Sequence, residues 1–169
     1  MTASSRRVRD AAPGVPDRLR LRRQAPADAA FLRALFAEGR AEEMAQAAWP
    51  EAMKAAFLDD QFRLREAHYA RAHPGADFSI VERAGRPVGR LAVAWDGDSV
   101  HVIDIALRAA VRGRGIGTAL MGQVIERAGA RPVTLQVVRG APAARLYARL
   151  GFISQGTAGP FHEALRREP

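Results

Sequence analysis

The stretch from His101 to Leu120, HVIDIALRAAVRGRGIGTAL, constrains this chain more than any other. It opens as an apolar run rich in β-branched residues, crosses a short basic loop, and enters a helical pattern through Gly113, Gly115 and Gly117. That order predicts a strand, a loop and a helix N-terminus. The first amides of a helix have no intrahelical acceptor and carry the positive end of its dipole. A loop this free of side chains lets a phosphate reach them, and glycine permits the φ > 0 conformations that turn successive amides toward one point. The stretch reads as a cradle for a pyrophosphate.

Spacing narrows the kind of cradle. A nucleotide P-loop needs Gly, four residues, then Gly-Lys-Ser/Thr, and the only lysine, Lys54, lies far upstream. A dinucleotide fingerprint needs Gly or Ala at Thr118 or Leu120 and an acid about 20 residues on, yet no Asp or Glu occurs from Arg127 to His162. Neither reading fits.

The stretch is similar to the acetyl-coenzyme A signature of the GNAT superfamily of N-acetyltransferases, Gln/Arg-x-x-Gly-x-Gly/Ala, which falls on Arg112, Gly115 and Gly117. A second segment, APAARLYARLGF from Ala141 to Phe152, resembles another stretch common in that family, a helix ending Leu-Tyr-x-x-x-Gly-Phe. Ala144, Leu146, Tyr147, Gly151 and Phe152 carry this second match, and Ala141 departs where many members have Asn. The resemblance spans Phe78 to Phe152 and implies an α/β (α+β) fold, a mixed, largely antiparallel sheet of about seven strands flanked by about four helices. It also implies direct acetyl transfer from acetyl-CoA, as co-substrate, to a primary amine. The amides of Gly113, Arg114, Gly115, Ile116, Gly117 and Thr118 would hold the pyrophosphate, with Arg112 reaching a phosphate or holding the loop. Backbone around Ile105 and Leu107 would meet the pantetheine arm and the developing oxyanion, with Ala144 beside the coenzyme. Tyr147 would hydrogen-bond the coenzyme sulfur and protonate the leaving thiolate.

Transfer to an alkyl amine also needs a base or a site that lowers the amine's pKa, because at pH 7 only about 10⁻³ of such an amine is deprotonated. His101 and Asp104 are the candidates. His101 has the better intrinsic pKa and sits where several family members place a carboxylate on this strand. Strict alternation puts His101 and Asp104 on opposite faces, so at most one faces the acceptor. Neither these nor His68, His73 and His162 show metal-ligand spacing, and no metal is expected. A second reading is a non-catalytic acyl-CoA-binding sensor or scaffold, supported by the missing Asn at Ala141.

The remaining sequence agrees with one domain. Residues 1–17 lack periodicity and read as a disordered basic leader, and 18–169 as a single domain. A strand from Arg18 to Gln24 precedes a helix opened by Pro26 and Asp28; Pro50 then splits a helical region into a short helix and a longer one with an apolar stripe at Met53, Ala56, Phe57, Leu64 and Ala67. Three antiparallel strands cover Phe78 to Leu107, with Gly89 marking a bulge or a close approach. Past the cradle come a helix, a strand from Arg131 to Val138, the Ala141–Leu150 helix and two short strands.

Most of the net charge of +8 comes from arginines before residue 24, which read as a tail rather than a nucleic-acid site. Between Ile105 and His162, by contrast, Glu126 is the only acid among eight arginines, a bias suited to a polyanion such as coenzyme A. The acidic residues between Glu38 and Glu66 either face the acceptor, favouring a cationic amine, or solvate outer helical faces. The absence of cysteine excludes a cysteinyl intermediate, a thiolate zinc site and disulfides. With no membrane-length apolar run and no secretory h-region, the chain is expected in the cytoplasm. The expected partner is a small-molecule or peptide amine, and an exposed C-terminal strand allows a homodimer.

Overall fold

The computed structural model describes residues 19–169, so the expected leader lies outside the described residues. The strands are β1 (Leu19–Arg23), β2 (Asp77–Arg83), β3 (Arg86–Ala94), β4 (Val100–Leu107), β5 (Val133–Val138), β6 (Ile153–Thr157) and β7 (His162–Arg167). They form one seven-stranded sheet in the order β1-β2-β3-β4-β5-β7-β6. Only the β4–β5 pair is parallel; the others are antiparallel. The parallel pair requires a crossover, and the glycine loop with its helix supplies it.

Among the described residues five α-helices flank the sheet: α1 (Ala29–Gly39), α2 (Ala41–Gln46), α3 (Glu51–Ala72), α4 (Ile116–Ala128) and α5 (Ala143–Arg149). Pro50 caps α3 and separates it from the short α2, the split that the sequence predicts. On one face of the sheet, Val81, Leu91, Val93, Val102 and Leu135 pack with Ile116, Leu120 and Val124 of α4 and with Tyr147 of α5. On the other face, Leu32 of α1 and Phe62 of α3 close over Ile80. Among the described residues no helix is long and apolar enough to cross a membrane.

The stripe expected on α3 is not the buried one. Met53 and Leu64 are 54% and 65% exposed, and Phe62 alone is fully buried. Of the expected stripe only Phe57 is half-buried; with it, the half-buried Leu58, Gln61, Arg65, Glu66 and Tyr69 mark an inward face centred about a third of a turn away. Its charged members have buried partners on the sheet, so an apolar pattern could not reveal it.

Gly89 meets both expectations placed on it. The β2–β3 register passes from Val81↔Gly89 to Glu82↔Pro87, leaving Val88 as an extra residue beside it. A Cβ on Gly89 would lie 2.5 Å from the Ala106 carbonyl oxygen and 2.6 Å from Leu107 Cδ2. Since a paired strand cannot easily withdraw its backbone, Gly89→Ala should cost about 1–3 kcal/mol. Thermal unfolding checks this; an unchanged melting temperature would mean that β3 and β4 can part there.

Candidate active site

The site begins where β4 and β5 separate. They pair only at Val100–Val102 with Val133–Leu135. Farther along, β4 keeps β3 as its neighbour, β5 keeps β7, and a gap opens between the two. Arg108 N donates to Val88 O at 2.9 Å, and mutual bonds in an antiparallel ladder recur at every second residue. Asp104 and Ala106 therefore turn their backbone groups to β3, while Ile105 and Leu107 turn theirs into the gap. Arg112 Nε donates to the Leu107 carbonyl at 2.8 Å, which leaves the Ile105 amide and carbonyl and the Leu107 amide without a partner strand.

Beyond β4, a 3-10 turn at Ala109–Val111 leads into the glycine loop. Gly113 and Gly115 have φ of +71° and +77°, and a Cβ on either would meet no atom within 4 Å. Gly115 caps α4, whose first amide bonded across the cap is that of Ala119, donated to Gly115 O. Among the described residues, the amides of Gly113, Arg114, Gly115, Ile116, Gly117 and Thr118 have no backbone acceptor. Six consecutive free amides at a helix N-terminus form an anion site, and those of Gly113–Gly115 and Thr118 belong to exposed residues.

The side chains around these amides have other tasks. Ile116 is 1% exposed in the core. Gly117 lets α5 approach: a Cβ there would meet Leu146 Cδ2 at 3.2 Å. Arg112 holds the loop through Leu107, and Arg108 is paired with Glu38, which also accepts from the Ala109 amide. Ala144 is half-buried in the first turn of α5 with its amide given to Ala141 O at 3.0 Å. Ala141 packs against the core and offers no polar side chain.

The structure overturns one expectation. His101 and Asp104 lie on the same face, because the β3–β4 register runs from Ala94↔His101 to Ala92↔Asp104 and leaves Ile103 without a partner. This bulge adds one residue to β4 and reverses its alternation. Both side chains face α3: His101 stacks on His73, which caps that helix, with ring centroids 5.8 Å apart. His101 Nδ1 is also 3.0 Å from Thr134 Oγ1. Burial, and then the nearby His73, lower the His101 pKa, so the ring is neutral at pH 7.

Asp104 keeps 14% of its side chain exposed, yet its Oδ2 is enclosed and, among the described residues, accepts no hydrogen bond. Burial raises its pKa above the ordinary carboxylate value, against the pull of Arg65 and Arg90. Tyr147 lies on the opposite face, 4% exposed and edge-on to Phe152 at 5.7 Å. Burial, then the Asp104 charge, push its phenol up to about 12. It is therefore a proton donor throughout the neutral range, held in the core.

Three further residues surround Asp104: Arg65 on α3 and Arg90 on β3, neither among the site residues expected from sequence, and Glu66 on α3, one of the acidic residues for which an acceptor-facing place was open. Arg90 is 1% exposed. A lone arginine opening the apolar run RLAVA is the signal that marks it. Of the acidic residues between Glu38 and Glu66, Glu43, Glu51, Asp59 and Asp60 pair with cations on outer surfaces. Glu38 and Glu66 turn inward instead.

Comparison with known proteins agrees with this geometry. The model of the acetyltransferase (GNAT) family matches residues 40–152. No curated protein sequence is a significant match. Among solved structures, the PaiA N-acetyltransferase of Thermoplasma acidophilum, in complex with coenzyme A, superposes with a TM-score of 0.67 at 14% identity, covering 90% of this chain and 99% of that one. An acetyltransferase of Thermus thermophilus also reaches 0.67, at 18% identity over 89% and 97% of the two chains. The spermidine N-acetyltransferase of Vibrio cholerae, in complex with coenzyme A and spermine, gives 0.58 at 18% identity over 88% and 92%. At these identities the likeness is one of fold.

Proposed function

The chain belongs to the acetyltransferase (GNAT) family, and from that premise we propose that it moves the acetyl group of acetyl-CoA directly to a primary amine, in the cytoplasm. Its chemistry is acyl transfer; the donor, the acceptor class and the residue roles are the proposal. The observation that carries it is the run of free amides from Gly113 to Thr118, set beside the unpaired backbone of Ile105 and Leu107. A diphosphate on an extended arm meets both features in one binding mode.

Acetyl-CoA supplies an activated acyl thioester. The glycine-loop amides hold its pyrophosphate, and Ile105 and Leu107 hold the arm in the gap. The free Ile105 amide is the donor for charge developing on the carbonyl oxygen. Asp104, on the α3 face, accepts the proton lost by the amine. Tyr147, on the α5 face, gives its proton to the departing sulfur, whose ordinary pKa is about 8.5 if it resembles cysteine. Donor and acceptor thus reach the acyl carbon from opposite faces of the split sheet, with no covalent enzyme intermediate.

Calorimetric titration with acetyl-CoA, followed by thiol release against a panel of amines, tests the proposal. Binding with release supports it. Binding without release across alkyl amines, polyamines, amino acids and peptide N-termini favours an acyl-CoA sensor, and absence of binding removes the cradle. Within this scheme Tyr147→Phe should lower kcat about 10²-fold while leaving acetyl-CoA affinity and melting temperature nearly unchanged. A variant as fast as wild type would assign the phenol to packing alone.

A further inference from the structure

Asp104 does not stand alone beneath α3. Its Oδ2 lies 3.6 Å from Arg90 Nη1 and 3.7 Å from Arg65 Nη1. Glu66 Oε1 joins the two guanidiniums, at 2.6 Å from Arg90 Nη1 and 3.3 Å from Arg65 Nη2. Aromatic rings fix their planes: Arg65 lies 4.5 Å from the Phe36 centroid, and Arg90 is 5.3 Å from Phe78 and 5.6 Å from Tyr69. Two cations and two anions balance here, with Arg90 buried and Arg65 and Glu66 23% and 25% exposed. A buried charge of this kind is costly and is destabilising when its partners are removed. Packing Ile80 and Phe62 would be served as well by apolar residues, so the charges call for another explanation.

We propose that Arg65, Glu66 and Arg90 are positioning residues for the acceptor site: two guanidiniums, tied together by one carboxylate, keep Asp104 ionised in place so that it holds the acceptor's ammonium and takes its proton. This rests on the reading of Asp104 as the base of acetyl transfer. The charge balance explains the arrangement. With two cations alone, Asp104 would be too weak a base, and with none, burial would leave it protonated. Glu66 sets the intermediate condition. The groups facing Asp104 are Arg65, Glu66 and Tyr69 from α3 and Arg90 from β3, while Tyr147, across the sheet, feels its charge.

The test is a carbon NMR titration of protein labelled at the aspartate carboxyl carbons, with Asp104→Asn identifying the resonance. Arg65→Gln should raise the Asp104 midpoint by about one pH unit, Arg90→Gln should raise it by no more than that, and Glu66→Gln should lower it. The opposite signs separate an electrostatic role from general damage. Midpoints that stay together, or that all move the same way, overturn the proposal. Should Arg90→Gln fail to fold, Arg65→Gln carries the same test, since its side chain is 23% exposed. With an amine that turns over, the acid limb of kcat/KM should follow the same shifts. Turnover with a fixed limb overturns the positioning role and leaves acetyl transfer standing. Shifted midpoints in a protein that acetylates no amine overturn the transfer reading on which the role depends.

Discussion

Gly115→Glu should weaken acetyl-CoA binding at least 100-fold while leaving a folded protein. Gly115 sits at φ +77° as the cap of α4, and the space above it is empty. A side chain therefore clashes with nothing, but the left-handed backbone costs about 1–2 kcal/mol in any L-residue other than glycine. A carboxylate near a helix N-terminus returns about 0.3–1 kcal/mol through the dipole, so the net loss of stability is small. Binding suffers far more. The new carboxylate would compete for the free amides and repel an incoming diphosphate at short range, and a 100-fold loss corresponds to only about 2.8 kcal/mol. Gly115→Ala separates the two effects, since it has the strain without the charge and should lose less than tenfold. Calorimetry with a parallel melting curve checks both. Undiminished affinity in folded Gly115→Glu would place the phosphate site elsewhere.

Asp104→Asn should lower kcat/KM about 10²–10⁴-fold and abolish the acid limb of its pH profile. The amide is nearly isosteric with the carboxyl but neither carries charge nor accepts a proton. In the wild type, activity should fall as pH drops through the Asp104 value, which burial has raised above the usual carboxylate range. His101→Asn should cost much less. The imidazole is enclosed between the His73 ring and Thr134, and its lowered pKa keeps it neutral where an amine substrate is charged. Steady-state rates from about pH 5 to 9 distinguish the two: a larger loss in His101→Asn, with Asp104→Asn close to wild type, would make the histidine the base.

The glycine loop was legible because its signals are local. Glycines at fixed spacing, a β-branched run before them and a helical period after them all describe neighbours in the chain. Tyr147 stands out in the sequence only through the Leu-Tyr-x-x-x-Gly-Phe segment that carries it. The structure places it in the core beside Phe152, and its catalytic role follows from the proposed chemistry. The inner face of α3 was not legible. Met53 and Leu64 suggested an apolar stripe, whereas the residues turned inward include Arg65 and Glu66. Periodicity finds a helix face only when that face is apolar. Here the partners that make charge tolerable, Arg90 and Asp104, lie on strands that are distant in sequence, so a single helical segment does not contain the information.

Ile103 gives β4 two phases. Before it, odd-numbered residues look toward α3; after it, even-numbered ones do. The chemical side of the sheet is thus assigned by an insertion in the backbone rather than by the choice of side chains. Pairing Ile103 in register with Ala92 would leave every residue type intact and still exchange the faces: with His101 fixed, Asp104 would be carried toward the apolar layer under α4 and Ile105 would take its place beneath α3. The strand would keep its composition and lose its meaning.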